Sequence, residues 1–172
     1  MGKVLKQRIW ESFCELLNDD TTLINYVNYY VAVADWMKSN LAEFDYSIIK
    51  RNGIEQLLSV DASEYVVENP DISLEMEPMR IFENKPNTVD SFVMIIKNLL
   101  RDLTTIWTDK DCPGCGDGGL RYFIYETVSS HERHLVLECY VCIYAELADG
   151  TEWDAGLANV FPANKNDLES FK

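Results

Sequence analysis

The stretch WTDKDCPGCGDGGLRYFIYET, residues 107–127, decides the fold. Before it the apolar residues recur every three to four positions. After it they alternate or run in β-rich blocks. Within it two cysteines, Cys112 and Cys115, bracket a Pro-Gly pair, as a tight metal knuckle needs. The chain is therefore expected to divide near residue 109. A helical body over 1–108 precedes a β-rich module over 109–172 that ends in an irregular tail, FPANKNDLESFK. The class is α+β.

Upstream, Leu5, Ile9, Phe13, Leu16 and Leu17 in KVLKQRIWESFCELLN predict a helix over 3–18 with one broad apolar face. Cys14 lies on that face between Trp10 and Leu17, as a buried core thiol would. Asp19, Asp20, Thr21 and Thr22 then offer N-cap oxygens for a second helix containing Tyr26, Tyr29 and Tyr30. These tyrosines read as packing residues, since the interleaved Lys and Arg of a base-stacking platform are missing. One or two shorter helices are expected in FDYSIIKRNGIEQLLSV, with Asn52 and Gly53 as the stop between them. Thr88 caps the clearest helix, 88–107, whose stripe is Phe92, Ile95, Ile96, Leu99, Leu100, Leu103 and Ile106. The body thus holds about four to five helices.

Residues 61–87 differ in character. They carry Pro70, Pro78 and Pro86 and many acidic side chains, against only Arg80 and Lys85. The reading is a long acidic connection with at most a short strand or helical turn.

Downstream, LRYFIYETVSS, HLVLECYVCIYAEL and DGTEW read as strands, with Ser129–Arg133 as a hairpin tip. The second block contains Cys139 and Cys142. The pattern is then C-x2-C, 23 intervening residues, and C-x2-C. Two such hooks supply the four thiolates of one tetrahedral zinc, a structural ion at one per chain. A rubredoxin-like iron site would use the same four sulfurs, and a redox CxxC pair is the other alternative. Four cysteines close the coordination shell that a catalytic zinc keeps open, so the metal is read as structural. His131 and His134, in HERH, fall at the hairpin tip and read as a solvated turn.

Cys112-Pro-Gly-Cys115-Gly116, two strands, and Cys139-Tyr-Val-Cys142 together resemble the zinc ribbon over residues 109–150. The resemblance implies small antiparallel strands clamped by metal. It does not imply one function, since ribbons serve transcription factors, polymerase subunits, ribosomal proteins and interaction modules. Ile143 stands where that pattern often has glycine, so the second knuckle is expected to turn differently.

Charge narrows the function. The 172 residues include 29 acidic and 15 basic side chains, a net of -14. Such a surface repels phosphate backbones and anionic membranes and attracts basic partners. Even residues 131–172 hold eight acidic against three basic side chains, so the β module lacks a nucleic-acid footprint. No apolar run reaches the roughly 18 residues of a membrane span, and free cysteines fit a reducing cytoplasm. Walker, GxGxxG, GxSxG and HExxH signatures are lacking, so no enzyme is expected.

In character rather than motif the chain resembles the acidic immunity proteins with which bacteria block their own toxins. That resemblance implies a cytoplasmic protein neutralising a basic protein. Within 61–87 charge coincides with the apolar anchors Met76 and Met79, so the contact is expected at Asp71, Glu75, Glu77 and Glu83. The alternative is a zinc-ribbon regulatory or transcription-related protein.

Overall fold

The computed structural model describes residues 3–19, 25–65, 76–116, 118–153 and 157–171. The chain forms two compact units, one of Met1–Ser63 and Pro70–Thr104, the other of Glu64–Asn69 and Thr105–Lys172. Helices precede an antiparallel sheet, as an α+β chain requires.

The first unit contains α1 (Gln7–Leu17), α2 (Tyr26–Asn40), α3 (Tyr46–Asn52), α4 (Ile54–Leu57), α5 (Met76–Glu83) and α6 (Val89–Leu103). These six described helices exceed the four to five expected. The stripe of α6 is buried as its period demands, from Val89 and Phe92 to Leu100 and Leu103. The Thr88 side chain accepts a hydrogen bond from Ser91 N and starts the helix. Against it lie Ile9, Trp10, Phe13 and Leu17 of α1 and Tyr29, Tyr30, Val33, Ala34 and Met37 of α2, all in one core. Phe92 sits among four aromatic rings: Phe13 at 5.2 Å, Trp10 and Trp36 at 6.0 Å, and Phe44 at 6.1 Å between centroids. The Tyr30 hydroxyl donates to Leu57 O at 2.6 Å, so this tyrosine packs and anchors α4. Cys14 is half-buried at the core's margin, and burial pushes its thiol pKa up.

Gly53 ends α3 in the left-handed region, φ +64°, where a side chain would be strained. Other boundaries moved for identifiable reasons. Lys3, Val4 and Leu5 leave the helix to pair with Asn87, Thr88 and Val89: Val89 N donates to Lys3 O at 2.9 Å. Asn25, not the earlier Asp and Thr residues, caps α2 by accepting from Asn28 N at 2.8 Å; residues 20–24 lie outside the described part. Helix α6 stops four residues before Trp107. The Thr104 hydroxyl donates back to Leu100 O at 2.8 Å, and Ile106 and Trp107 enter a strand. The segment read as an acidic connection contains the eight-residue helix α5. Its Pro78 lies in the first turn, where no intrahelical donor is needed, and its Ile81 reaches the core.

The second unit is built on β1 (Ile106–Asp111), β2 (Gly119–Thr127), β3 (Arg133–Cys139), β4 (Ala145–Leu147), β5 (Ala158–Pro162) and α7 (Lys165–Ser170). All pairings are antiparallel. β3 lies on one side of β2, with β4 beyond it. β1 and β5 share the other side, β1 along the start of β2 and β5 along Phe123–Thr127. Strand alternation places Leu120, Ile124, Leu135 and Leu137 on one face, joined by Ala163 and Leu168. Phe123, Tyr125, Val136 and Ala145 occupy the other, joined by Leu147 and Trp153.

Two stretches read from sequence as irregular or as strand are corrected. Residues 161–171 of FPANKNDLESFK are regular: their start completes β5, and α7 follows with a capping box between Asn164 and Asp167. Among the described residues DGTEW turns at Gly150, φ +86°, and meets β4 through one bridge, Glu146 to Glu152, flanked by hydrogen bonds from Leu147 N to Thr151 O and from Trp153 N to Ala145 O. Among the described residues no helix is long and apolar enough to cross a membrane.

Candidate metal centre

Each pair of cysteines rides on a turn at the same end of the sheet. Cys112 and Cys115 belong to the β1–β2 connection; Cys139 ends β3, and Cys142 lies in the β3–β4 connection. The β2–β3 register brings the turns together by setting Leu120 opposite Cys139. Cys112 Sγ lies 3.6 Å from Cys142 Sγ, and Cys115 Sγ lies 3.7 Å from Cys139 Sγ. All four sulfurs fall within 4.8 Å of one another. A regular tetrahedron with 2.3 Å metal–sulfur bonds has edges of about 3.8 Å, so the arrangement fits one ion.

Backbone geometry also suits thiolates. Gly114 N donates to Cys112 Sγ at 3.3 Å, and Val141 N and Cys142 N donate to Cys139 Sγ at 3.3 and 3.4 Å. Gly116, at φ +72°, closes the first turn with its N–H on Cys112 O at 2.9 Å. The second turn closes through Cys139 N to Tyr144 O at 3.0 Å. Ile143 needs no left-handed backbone there, and its side chain is fully exposed. The two knuckles therefore do turn differently.

Cys112 and Cys139 are buried with Leu120 and Leu137, where four negative charges would be costly without a cation. Burial pushes the Cys112 thiol up, but the Cys115 and Gly114 N–H groups outweigh it and lower its pKa. The Tyr144 N–H draws the Cys142 thiol down, yet burial and the neighbouring sulfurs raise its pKa overall. The Cys112 and Cys142 thiols are thus pushed in opposite directions. With four sulfur ligands the shell is closed.

Sequence reasoning did not single out Gly118. A Cβ there would lie 2.9 Å from Cys139 Sγ and 3.0 Å from Val141 Cγ2. Its carbonyl also accepts from Cys112 N at 2.7 Å. Gly118→Ala should weaken metal retention by about 10–100-fold, the range for groups that orient ligands. Competition against a chromogenic chelator measures this, and unchanged affinity would mean that the second knuckle yields at no cost.

The surroundings became visible only with the strand register. Arg121 faces Glu138 at 3.2 Å, and the Tyr125 hydroxyl donates to the same carboxylate at 2.9 Å. The Arg121 guanidinium lies 5.2 Å from the Phe123 ring centroid and 5.9 Å from that of Trp107. Buried Glu146 accepts from the Tyr144 hydroxyl at 2.6 Å, which pushes the phenol pKa up to about 12.

The histidines sit away from the sulfurs. His131 is exposed in the β2–β3 turn at φ +57°, and His134, opposite Tyr125, packs on Trp153 at 4.7 Å. Among the described residues the four cysteines are the only cluster of three or more potential ligands. Of the acidic partner-binding candidates, Asp71 and Glu75 lie outside the described residues, as does the side chain of Glu77. Glu83 is exposed at the end of α5, and Met79 is exposed on the same helix. The chain matches no protein-family model, no curated protein and no solved structure. What fold and site define is a small antiparallel sheet with a zinc-ribbon-like pair of knuckles, positioned to hold a metal ion.

Proposed function

We propose that this chain is an acidic cytoplasmic binding protein that neutralises a basic protein partner, in the manner of an immunity protein blocking a bacterial toxin. The observation that carries the reading is the net charge of -14. In this reading the tetrathiolate site holds one zinc as a fastener. Four thiolates and one divalent cation together add two negative charges, which reinforces the acidic field. Such a field speeds encounter with a basic surface and repels nucleic acid and anionic membranes. The centre takes no part in chemistry, because its four sulfurs leave no position for water or substrate.

A second reading, a regulatory or transcription-related ribbon, draws on the second knuckle, where Tyr140, Val141 and Ile143 are all exposed. An apolar knuckle of this kind can seat in a groove of a larger assembly.

Affinity capture from native cells at low and high salt, followed by mass spectrometry, separates the two. A basic protein released by salt supports neutralisation, whereas polymerase or ribosomal subunits support the ribbon reading. Retention of no basic protein overturns the first. With the partner in hand, Glu75→Lys combined with Glu77→Lys should slow association by about tenfold at low salt and flatten its salt dependence. An unchanged association rate would remove residues 61–87 from the contact.

A further inference from the structure

Among the described residues strand β5 forms an outer edge of the sheet, and its register fixes which backbone groups face outward. Val128 N donates to Leu157 O at 3.0 Å, and Ala163 N donates to Tyr122 O at 3.3 Å. The odd-numbered residues from Leu157 to Ala163 therefore turn their amide groups toward β2. Antiparallel alternation turns the N–H and C=O of Ala158 and Val160 the other way. Among the described residues β5 pairs with β2 alone.

Exposed edges are normally blunted by lysine, proline or inward charge. From Leu157 to Phe161 the sequence is LANVF, with no charge and no proline. Leu157 is 86% exposed and Val160 39%. Pro162, which has no N–H, ends the edge.

We propose that two copies of this chain pair through β5, antiparallel, about a two-fold axis at Asn159. That register sets Ala158 opposite Val160 of the other copy twice, and satisfies both outward N–H groups and both C=O groups on each strand. Shifting it by two residues in one direction sets Ala158 against Pro162 and loses donors. Shifting it the other way leaves Val160 opposite residue 156 rather than Ala158. On one face Leu157 meets Phe161 of the second copy twice, flanking an Asn159–Asn159 amide pair. Aliphatic–aromatic cross-strand pairs of this kind are stabilising.

The absence of charge selects the occupant. A basic segment would find no carboxylate on LANVF, whereas an identical uncharged strand matches it in charge, hydrogen bonding and side-chain shape. A contact of about five residues per strand falls short of the roughly 800 Å² per partner of a stable interface, so the dimer is weak. Two chains of net charge -14 also repel, and salt shortens the reach of that repulsion. Self-association therefore strengthens with salt, the opposite of binding to a basic partner.

Sedimentation equilibrium of the full chain from about 10 μM to about 1 mM tests the pairing in a range suited to weak association. The expected result is a monomer–dimer equilibrium that is tighter at about 0.5 M NaCl than at about 0.05 M. Asn159→Lys places a lysine beside Glu126 of its own sheet, so the fold is kept, but sets two ammonium groups face to face at the axis. It should weaken the dimer by about tenfold or more although the net charge falls in magnitude. Ala158→Pro deletes an outward donor without touching the ladder to β2 and should have the same effect. A chain that stays monomeric throughout overturns the proposal and leaves the edge to a segment of another protein. A dimer unchanged in both variants overturns it as well.

Discussion

Cys139→Ser is expected to abolish metal binding at the four-cysteine site and to unfasten the knuckle end of the sheet. Cys139 is buried, accepts two backbone N–H groups on its sulfur, and faces Leu120 across the β2–β3 ladder. Its loss leaves three sulfurs and removes the centre of the small cluster formed by Cys112, Leu120 and Leu137. Structural zinc contributes about 10–16 kcal/mol of apparent free energy in isolated zinc-finger peptides. Only part of that is lost here, because two further apolar clusters hold the rest of the sheet. Elemental analysis should fall from about one zinc per chain to near none. Hydrogen exchange should lose protection at Leu120–Tyr122 and Leu137–Cys139 and keep it in α2 and α6. A strong chelator should reproduce the pattern in the unaltered protein. Retained metal with full protection would refute the assignment, and loss of protection in α6 at the same chelator dose would mean that both units unfold as one.

The second large effect belongs to the helical unit. Phe92→Ala should cost about 3–5 kcal/mol, since it empties a fully buried site walled by Trp10, Phe13, Trp36 and Phe44. Against a typical total of about 5–15 kcal/mol, that brings the unit close to unfolding. Two of the four rings are tryptophans, so the near-ultraviolet circular dichroism should flatten together with the fall in denaturant midpoint. Met94→Ala, exposed two residues along the same helix, should change stability by no more than about 0.5 kcal/mol. A cost below about 1 kcal/mol for Phe92→Ala would show that the surrounding rings collapse into the space.

Legibility followed the range of the interactions. Thr88 and the stripe from Phe92 to Leu103 lie within one helix, where a local cap and a repeating period define the element. The Asn52-Gly53 stop is equally local, because a left-handed position asks for glycine. The end of α6 was misplaced because Ile106 continues the helical spacing while its partner, Tyr122, lies on a strand that spacing cannot reveal. Helix α5 was hidden by Pro78 within it and by Pro70 and Pro86 on either side, although Pro78 in a first turn breaks nothing. β5 was hidden for another reason: ANVFP becomes a strand by pairing with Phe123–Thr127, over 30 residues upstream.

The metal centre shows the same division. Cysteine spacing alone names all four candidate ligands, because thiolates two residues apart can reach one ion and two such pairs complete a tetrahedron. Net charge is likewise a property of composition and needs no fold. That the sulfurs meet, that Gly118 must lack a side chain beside Cys139, and that Arg121 faces Glu138 depend on the β2–β3 register. So does the outward edge of β5, through its own register with β2. A one-residue slip would turn each of these groups to the opposite face, and that choice is made by the burial of Leu120, Ile124, Leu135 and Leu137 together rather than by any local segment.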